Sequence, residues 1–453
     1  MTKFFRFCTL ILLISAPVSA QEIHGVYIAN QGNFSDGNAS ITRYDLSTRQ
    51  AEQVLSNFGT IVQSITLHGN FGYIASNTSN NVDILDLSTN MRVGQIREVA
   101  SPRYISVVGQ DKAYVSEQLD PGKVKVLNLQ SRTVSGSVDT GSRPEDIAVA
   151  GSRAFVANSG WGSDSTLTVI DTRTDTVIET IDLGCDGPRH LEVDQQGDLW
   201  AFCTGKTVWN SDFTQIVDRT NGAAVVLNPQ TGDILNRIEF SHQVGSSGPG
   251  QDSHYSAESE EIFLIRSDSA MVLVFDATTN MYKESIPFSG TESVGGLAYD
   301  ATERLFYIGR FDSNPLIGFT QPGFVQIANR DDLSEVGRFT AGIAPAHVVL
   351  HKSPQATAVD EIGVPQVVSL SPAYPNPFNE STTLTFVLER AQQVSLVIYD
   401  ALGREVAHPV SGLRSAGEHR VVWEAGQLPM GAYFSRLMVD GQIAATGTLV
   451  RTR

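Results

Sequence analysis

Three histidines in this chain begin equivalent strands of a repeat, where imidazole could bind a metal or move a proton. The repeat places two residues at each such start, and the seven pairs are Gln63-Ser64, Arg103-Tyr104, Glu145-Asp146, Arg189-His190, Ser253-His254, Gly295-Gly296 and Ala346-His347. Imidazoles with a carboxylate from Glu145 or Asp146 would suit a transition metal. However, opposite walls of a seven-repeat ring are too far apart for one ~2 Å coordination shell. We therefore expect no metal and no cofactor, and channel residues that contact either water or a ligand.

Two cysteines could form a disulfide. Cys185 precedes the first strand of a repeat and Cys203 ends the second strand, so antiparallel pairing brings both to one end of the same sheet. A disulfide and two free thiols both remain open at this point. No CxxC or Cys/His spacing surrounds either residue, which argues against a metal site.

The chain is strongly acidic. Its 453 residues include 32 Lys and Arg against 49 Asp and Glu, a formal net charge of −17. This charge disfavours nucleic acid and anionic membranes as partners, because both are polyanions. Beyond the N-terminal segment, no run reaches the ~18 apolar residues of a membrane helix, so we expect no transmembrane segment.

The first twenty residues have the pattern of a signal peptide. Lys3 and Arg6 supply positive charge, residues 7–14 are apolar, and residues 18–20 form a small-residue site before Gln21. We predict export and cleavage after Ala20. Cys8 lies within the apolar segment and does not follow the cleavage site, so no lipid anchor is expected.

The elements that carry the candidate residues are short strands in groups of four. Residues 143–184 contain four apolar runs bounded by Gly, Ser, Asp or Thr, at 146–149, 154–157, 167–170 and 177–181. An aromatic residue marks the second strand of each repeat, at Tyr27, Tyr73, Tyr114, Phe155, Trp200, Phe263 and Phe306. One such sheet cannot bury both of its faces, so like sheets should stack around an axis. We predict an all-β fold with a seven-bladed β-propeller over residues 21–352.

The first repeat lacks its own first strand. The segment APAHVVL at 344–350 has the same pattern as PEDIAV at 144–149. We expect it to pair with residues 24–30, which would close the ring and leave no open edge between the first and last blades.

The repeat PEDIAV, AFVAN, LTVID, VIETIDLG resembles the YVTN family of surface-layer-like bacterial propellers over about residues 23–352. That resemblance implies the fold but leaves the function open, because the scaffold hosts binders, structural proteins and enzymes. Propeller lactonases and lyases place carboxylates, Asn or His around the axis, which keeps a hydrolase or lyase at the funnel as an alternative. No GxSxG, HExxH, phosphate-binding glycine loop or EF-hand pattern is present, so we expect no enzymatic activity.

Long insertions fall in the connections that emerge on one face of the predicted ring, at 30–39, 159–165, 204–222, 241–253 and 310–322. They carry Phe34, Trp161, Trp209, Phe213, Phe311 and Phe319, which either pack down their own loops or form a binding surface. The candidate ligand-binding residues at this funnel are Arg103, Tyr104, Glu145, Asp146, Arg189, His190, His254, His347, Trp161, Trp209 and Phe311.

After a linker at 353–366 comes a second all-β unit at 367–453. Five alternating runs at 383–388, 394–400, 419–425, 431–440 and 443–451 predict a small immunoglobulin-like sandwich. The segment resembles the C-terminal sorting domain of the type IX secretion system. The residues that carry this resemblance are Tyr374, Pro375, Asn376, Pro377, Phe378, Gly403, Gly431 and Tyr433.

The second resemblance implies that the type IX machinery is a partner and that the protein is secreted or displayed at the cell surface, with the domain often removed afterwards. The alternative is an ordinary immunoglobulin-like module that binds the propeller or a surface. We expect an exported binding or adhesion protein that holds a small molecule, a glycan or a protein non-covalently at its insertion-rich face. A sharper alternative is a corrinoid-capturing surface propeller, which the segments 25–45, SPRYI and RPEDI resemble, although such proteins are typically lipid-anchored.

Overall fold

The computed structural model describes residues 23–59, 61–212, 214–244, 250, 253–266, 271–352, 369–370, 373–388, 392–400, 404–415, 417–426, 428–439 and 442–452. Contacts between Cα atoms divide the chain into two compact units, Met1–Pro354 and Gln355–Arg453. Both are built from β-strands, and α1 (Pro315–Gly318) is the one α-helix among the residues described. No helix in these ranges is long and apolar enough to cross a membrane.

Seven antiparallel sheets of four strands each make up the described part of the first unit. The first sheet contains β1 (Ile23–Asn30), β2 (Ser40–Asp45), β3 (Gln50–Ser56) and β30 (Pro345–Lys352). The second contains β4 (Val62–His68), β5 (Phe71–Ser76), β6 (Asn81–Asp86) and β7 (Met91–Arg97). The third contains β8 (Pro102–Gly109), β9 (Lys112–Glu117), β10 (Lys123–Asn128) and β11 (Thr133–Asp139). The fourth contains β12 (Pro144–Ala150), β13 (Arg153–Asn158), β14 (Thr166–Asp171) and β15 (Thr176–Asp182).

The remaining sheets follow the same order, with one inserted hairpin. The fifth contains β16 (Pro188–Val193), β17 (Leu199–Cys203), β20 (Ala223–Leu227) and β21 (Ile234–Glu239), and the hairpin β18 (Thr207–Trp209) and β19 (Ile216–Arg219) lies between β17 and β20. The sixth contains β22 (Ser253–Ser256), β23 (Glu261–Arg266), β24 (Met271–Asp276) and β25 (Met281–Pro287). The seventh contains β26 (Ser293–Asp300), β27 (Leu305–Phe311), β28 (Pro322–Asn329) and β29 (Glu335–Ile343).

An acidic or amide residue ends the third strand of most sheets and shapes the turn that follows. Asp45 accepts the backbone N–H groups of Ser47 and Thr48 at 3.0 and 2.9 Å. Asp86 does the same for Ser88 and Thr89. These Asx turns satisfy backbone donors locally, which explains why the sequence repeats the DLST pattern at this position.

Neighbouring sheets share buried apolar clusters, and their first strands contact one another in a fixed order. That order is β30, β4, β8, β12, β16, β22 and β26, and β26 in turn contacts β30. A buried apolar cluster lies between each sheet and the next, and another lies between the seventh and the first. Strand β30 also pairs antiparallel with β1, placing Leu350 opposite Val26 and His347 opposite Ala29.

The prediction that Phe306 is the marker aromatic of the last repeat is wrong. In the first six sheets the marker faces the next sheet, as Phe155 does in the cluster between the fourth and fifth. In the seventh sheet Tyr307 takes this position against the first sheet, while Phe306 faces the sixth. Side chains alternate between the faces of a strand, so adjacent aromatics cannot occupy the same interface.

The C-terminal unit consists of two antiparallel sheets around one apolar cluster. One sheet contains β31 (Ser369–Leu370), β32 (Ser381–Leu388) and β35 (Gly417–Glu424), and the other contains β34 (Glu405–Arg414), β33 (Gln392–Asp400), β36 (Gly431–Val439) and β37 (Gln442–Arg451). Phe386 and Trp423 from the first sheet share the cluster with Leu396 and Leu437 from the second. Strand β34 was missed in the sequence because Pro409 and Gly412 interrupt its alternation.

Candidate functional site

Arg103 and Glu145 form a buried ion pair between the first strands of the third and fourth sheets. The guanidinium Nε and Nη2 atoms both lie 2.8 Å from Glu145 Oε2. A third guanidinium nitrogen donates to Gln63 on the second sheet. Gln118 Nε2 donates to Glu145 Oε1 at 2.8 Å. Both charged side chains are therefore engaged inside the protein, although the sequence favoured them as ligand contacts.

Tyr104 brings together residues that are far apart in the chain. Its hydroxyl donates to the carbonyl oxygen of Gly250 at 3.0 Å, across 146 positions of sequence. Its ring centroid lies 5.8 Å from that of His190 and 6.3 Å from that of His347. The sequence placed these histidines on separate walls of a channel, but the structure brings both against one tyrosine ring.

His254 does not join that group. Ser253, and not His254, lines the cavity that His190 and His347 line. Successive side chains on β22 alternate between its two faces, so Ser253 and His254 lie on opposite faces of the strand. Burial, together with the charge of Lys352, lowers the pKa of His254 to about 4. Among the described residues, no group of three or more His, Cys, Asp or Glu is placed to hold a metal ion.

A cavity of about 350 Å³, which we call the axial cavity, lies among the first strands. Its polar lining consists of Thr66, Tyr104, Asp146, His190, Glu192, Ser253 and His347. Glu192 was missed in the sequence because only the starts of the first strands were compared. It lies two residues after His190 on β16, and residues at this spacing share a strand face, which is the signal that could have found it.

The two carboxyl groups of the axial cavity accept hydrogen bonds from neighbouring strands. Asp146 accepts the backbone N–H groups of Leu191 at 3.0 Å and Ile147 at 2.8 Å. Glu192 Oε1 accepts the hydroxyl of Ser253 at 2.9 Å. Asp146 thus links the fourth sheet to the fifth, and Glu192 links the fifth to the sixth.

Burial sets the protonation of this cavity. It raises the pKa of Asp146, and it raises the pKa of Glu192 to about 8 with the help of the nearby Asp146 charge. Burial also lowers the pKa of His347 to about 3, because a charged imidazole would be desolvated and would face His190. At neutral pH the His347 ring is therefore neutral, and Glu192 holds its proton in most molecules.

Several predicted aromatics lie exposed on the connections between second and third strands. Trp161 is 67% exposed, and its ring lies 3.6 Å from the guanidinium carbon of Arg143. Trp209 is exposed on β18. Phe311 packs edge-to-face on Phe319 at 5.5 Å, so this pair holds its own loop. Phe213 lies outside the described residues.

These connections share one end of the sheets, which we call the loop face. In the first, fourth and fifth sheets this connection bonds to the segment that leads into the first strand of the same sheet: Gly32 donates to Ile343, Gly160 to Ser142 and Thr204 to Gly187. The exposed apolar side chains of the loop face are Phe34, Trp161, Trp209, Ile216, Val217, Leu316 and Ile317. They come from two pairs of neighbouring sheets, the fourth with the fifth and the seventh with the first.

Cys185 and Cys203 are joined by a disulfide, with their Cα atoms 6.0 Å apart. The bond ties the end of β17, where the longest loop-face insertion begins, to the segment entering β16. Arg189, next to His190, is half-buried at the start of the same strand.

The motif at the start of the C-terminal unit is fixed to its last strand. Asn376 accepts the backbone N–H of Val450 and donates to the carbonyl of Thr448, both at 2.8 Å. Phe378 is buried against Trp423, with ring centroids 5.4 Å apart. The hydroxyl of Thr382 donates to the Pro375 carbonyl at 2.6 Å, whereas the Tyr374 side chain is 82% exposed.

The other three residues that carry the resemblance to the sorting domain are Tyr433, Gly431 and Gly403. Tyr433 donates its hydroxyl to the carbonyl of Pro429 at 2.5 Å. Gly431 begins β36 at a φ of +147°, a conformation that favours glycine. Gly403 lies outside the described residues.

Comparison with protein families identifies the C-terminal unit. Residues 372–450 match the family described as secretion system C-terminal sorting domain. The chain thus carries a sorting domain. This sorting domain supports secretion to the cell surface and engagement with the type IX machinery. Residues 24–218 match a domain of unknown function, DUF5074.

The other comparisons bear on the fold of the first unit. No curated protein gives a significant match. Among solved structures, Kuenenia stuttgartiensis hydrazine synthase matches with a TM-score of 0.51 and 17% sequence identity. The match covers 65% of this chain and 96% of that chain. At this identity the likeness shows a shared fold and carries no argument about chemistry.

Proposed function

We propose that this protein is an exported, seven-bladed β-propeller of YVTN-like repeats that binds a glycan or protein at the cell surface through its loop face. The seven four-stranded sheets would be the blades, and the cyclic order of contacts between their first strands supports a ring. Pairing of β1 with β30 would close this ring, because it leaves no unpaired strand edge between its two ends.

The observation that carries this proposal is the exposure of large apolar side chains on the loop face. Leu316 is 81% exposed, Trp161 is 67% exposed and Phe34 is 65% exposed. In a seven-membered ring, the fourth and fifth blades lie nearly opposite the seventh and first. A partner that contacts exposed residues on opposite sides of the ring must be extended. Exposed aromatic side chains often supply much of the binding energy in such interfaces.

We infer that binding is non-covalent and that the protein is not an enzyme. Arg103 and Glu145 neutralise each other, and the Tyr104 hydroxyl is bonded to Gly250. Catalysis needs an acid, base or metal free to meet a substrate. Arg103 and Glu145 instead hold neighbouring sheets together, which is a structural task.

Binding of the labelled mature protein to a glycan array and to intact bacterial cells would test this proposal. Saturable binding is expected for the wild type, with affinity reduced at least tenfold by Trp161→Ala and by Leu316→Ser. Ile178→Ala is the matched control, because Ile178 is a similarly exposed apolar residue on the outer strand β15. Equal binding by all three variants and the wild type would exclude the loop face.

A further inference from the structure

We propose that the axial cavity is a second binding site, for a small organic ammonium ion. This inference concerns the first strands and does not depend on the loop face or on the function proposed for it.

The hydrogen-bonding groups of the cavity point to a ligand that donates hydrogen bonds. The Tyr104 hydroxyl is already donated to Gly250, and the Ser253 hydroxyl is already donated to Glu192. The acceptors are the carboxyl oxygens of Asp146, the carboxyl oxygens of Glu192 once it has lost its proton, and an imidazole nitrogen of His347. A protonated amine supplies two or three N–H donors, whereas a carboxylate or phosphate supplies none.

His347 is the independent sign of a ligand. Its side chain is 7% exposed, it lines the cavity, and its Nδ1 has no hydrogen-bond partner among the described residues. An unsatisfied buried nitrogen is unfavourable, and a ligand N–H would satisfy it. Burial keeps the pKa of this imidazole near 3, so the ring is neutral and can accept a hydrogen bond.

The charge of the cavity suits a cation. Asp146 and Glu192 come close enough for the charge of one to raise the pKa of the other. Three cationic or titratable groups lie near them: Arg103 is paired with Glu145, the His347 ring is uncharged at neutral pH, and His190 faces Asp146 and opposes the rise that burial gives to its pKa. A positive ligand between the two carboxyls would stabilise both in their charged forms.

The size and apolar lining of the cavity favour an organic cation over a bare metal. A volume of about 350 Å³ is much larger than one ion, and it falls within the range of small-molecule sites. Ile65, Leu67, Ile105 and Val349 offer no oxygen ligands to a calcium or magnesium ion. They can instead contact a short hydrocarbon chain.

Calorimetric titration of the mature full-length protein would test this assignment. The probes are butylammonium and benzylammonium, their neutral counterparts butanol and benzyl alcohol, and calcium chloride. We expect the amines to bind at least tenfold more tightly than the alcohols. Equal binding of amines and alcohols, no binding at millimolar concentration, or tighter binding of calcium would each overturn the proposal.

Glu192→Gln and His347→Phe test whether the amine binds in this cavity, and their melting curves show whether each variant is folded. Glu192→Gln keeps the shape of the side chain and should weaken amine binding at least tenfold, while Asp332→Asn in an exposed turn should leave it unchanged. His347→Phe should abolish binding by filling the cavity and removing the acceptor, and the melting curve shows whether it folds. Wild-type affinity in a folded Glu192→Gln or His347→Phe protein would place the amine elsewhere.

Discussion

At the scale of single residues, the buried ion pair of Arg103 and Glu145 is held by partners on several sheets. Arg103 on the third sheet reaches Glu145 on the fourth and Gln63 on the second. Removing one member of a buried pair leaves an uncompensated charge, which costs about 3–5 kcal/mol. We therefore expect Glu145→Ala to lower the stability of the first unit by about 3 kcal/mol.

Denaturant unfolding followed by tryptophan fluorescence would measure this loss. Asp331→Ala is the control, because Asp331 pairs with Arg304 in an ion pair that is exposed on both sides. Exposed pairs contribute about 0–1 kcal/mol, so the control should differ little from the wild type. Similar losses in the two variants would contradict a special role for the buried pair.

Glu192 should make stability fall as pH rises above about 6.5. Its pKa in the folded protein is about 8, above the ordinary value of 4.5, so the folded state holds more protons than the unfolded state between these pH values. Stability therefore decreases with rising pH across that window. His347 and His254 have lowered pKa values and act in the opposite direction, but only below about pH 6.5.

Burial raises the pKa of Glu192, the charge of Asp146 raises it further toward this value, and hydrogen bonds from the Ser253 hydroxyl and the Tyr255 backbone act to lower it. Melting temperatures at pH 6.5 and pH 8 would show the dependence, and Glu192→Gln should flatten it. An exposed Asp332→Asn variant should keep the wild-type slope. A slope unchanged by Glu192→Gln would assign the titration to another residue.

At the scale of strands, the sequence was informative where alternation and turn chemistry agree. The four runs of residues 143–184 fall within β12 to β15, because each is bounded by turn-forming residues. The marker aromatic could not be chosen between the neighbours Phe306 and Tyr307, because both residues fit a strand. Only the packing of the seventh sheet shows that Phe306 faces the sixth sheet and Tyr307 faces the first. The contact of Tyr104 with Gly250 could not be predicted, because no local pattern links positions 146 residues apart.

The close packing of the seventh sheet against the first depends on glycines at the start of β26. A Cβ atom at Gly295 would lie 1.9 Å from the carbonyl oxygen of Pro345, so the backbones of β26 and β30 approach directly. Gly295→Ala should force the strands apart and lower the melting temperature by several degrees. Gly337→Ala, where the nearest atom is 3.7 Å away on a flexible side chain, should be nearly neutral. Equal effects would argue against close strand packing at this junction.

At the scale of the whole molecule, the chain is divided into two units with separate apolar clusters. The first unit has its own apolar clusters between successive sheets, and the C-terminal unit has a separate cluster around Phe386 and Trp423. Each unit thus has an apolar core of its own, as expected for a sorting domain joined to a separately folding domain.

Deleting residues 367–453 should therefore leave the first unit folded but prevent its delivery to the cell surface. The sorting domain found at 372–450 is the expected signal for transport to the cell surface. Without it, the truncated protein should accumulate in the periplasm. Surface labelling and cell fractionation would locate it, while a retained melting transition would show that it folds. As a reciprocal control, residues 353–453 fused behind a signal peptide and a monomeric reporter should carry that reporter to the surface. Surface display of the truncated protein at the wild-type level would mean that the first unit carries its own export signal.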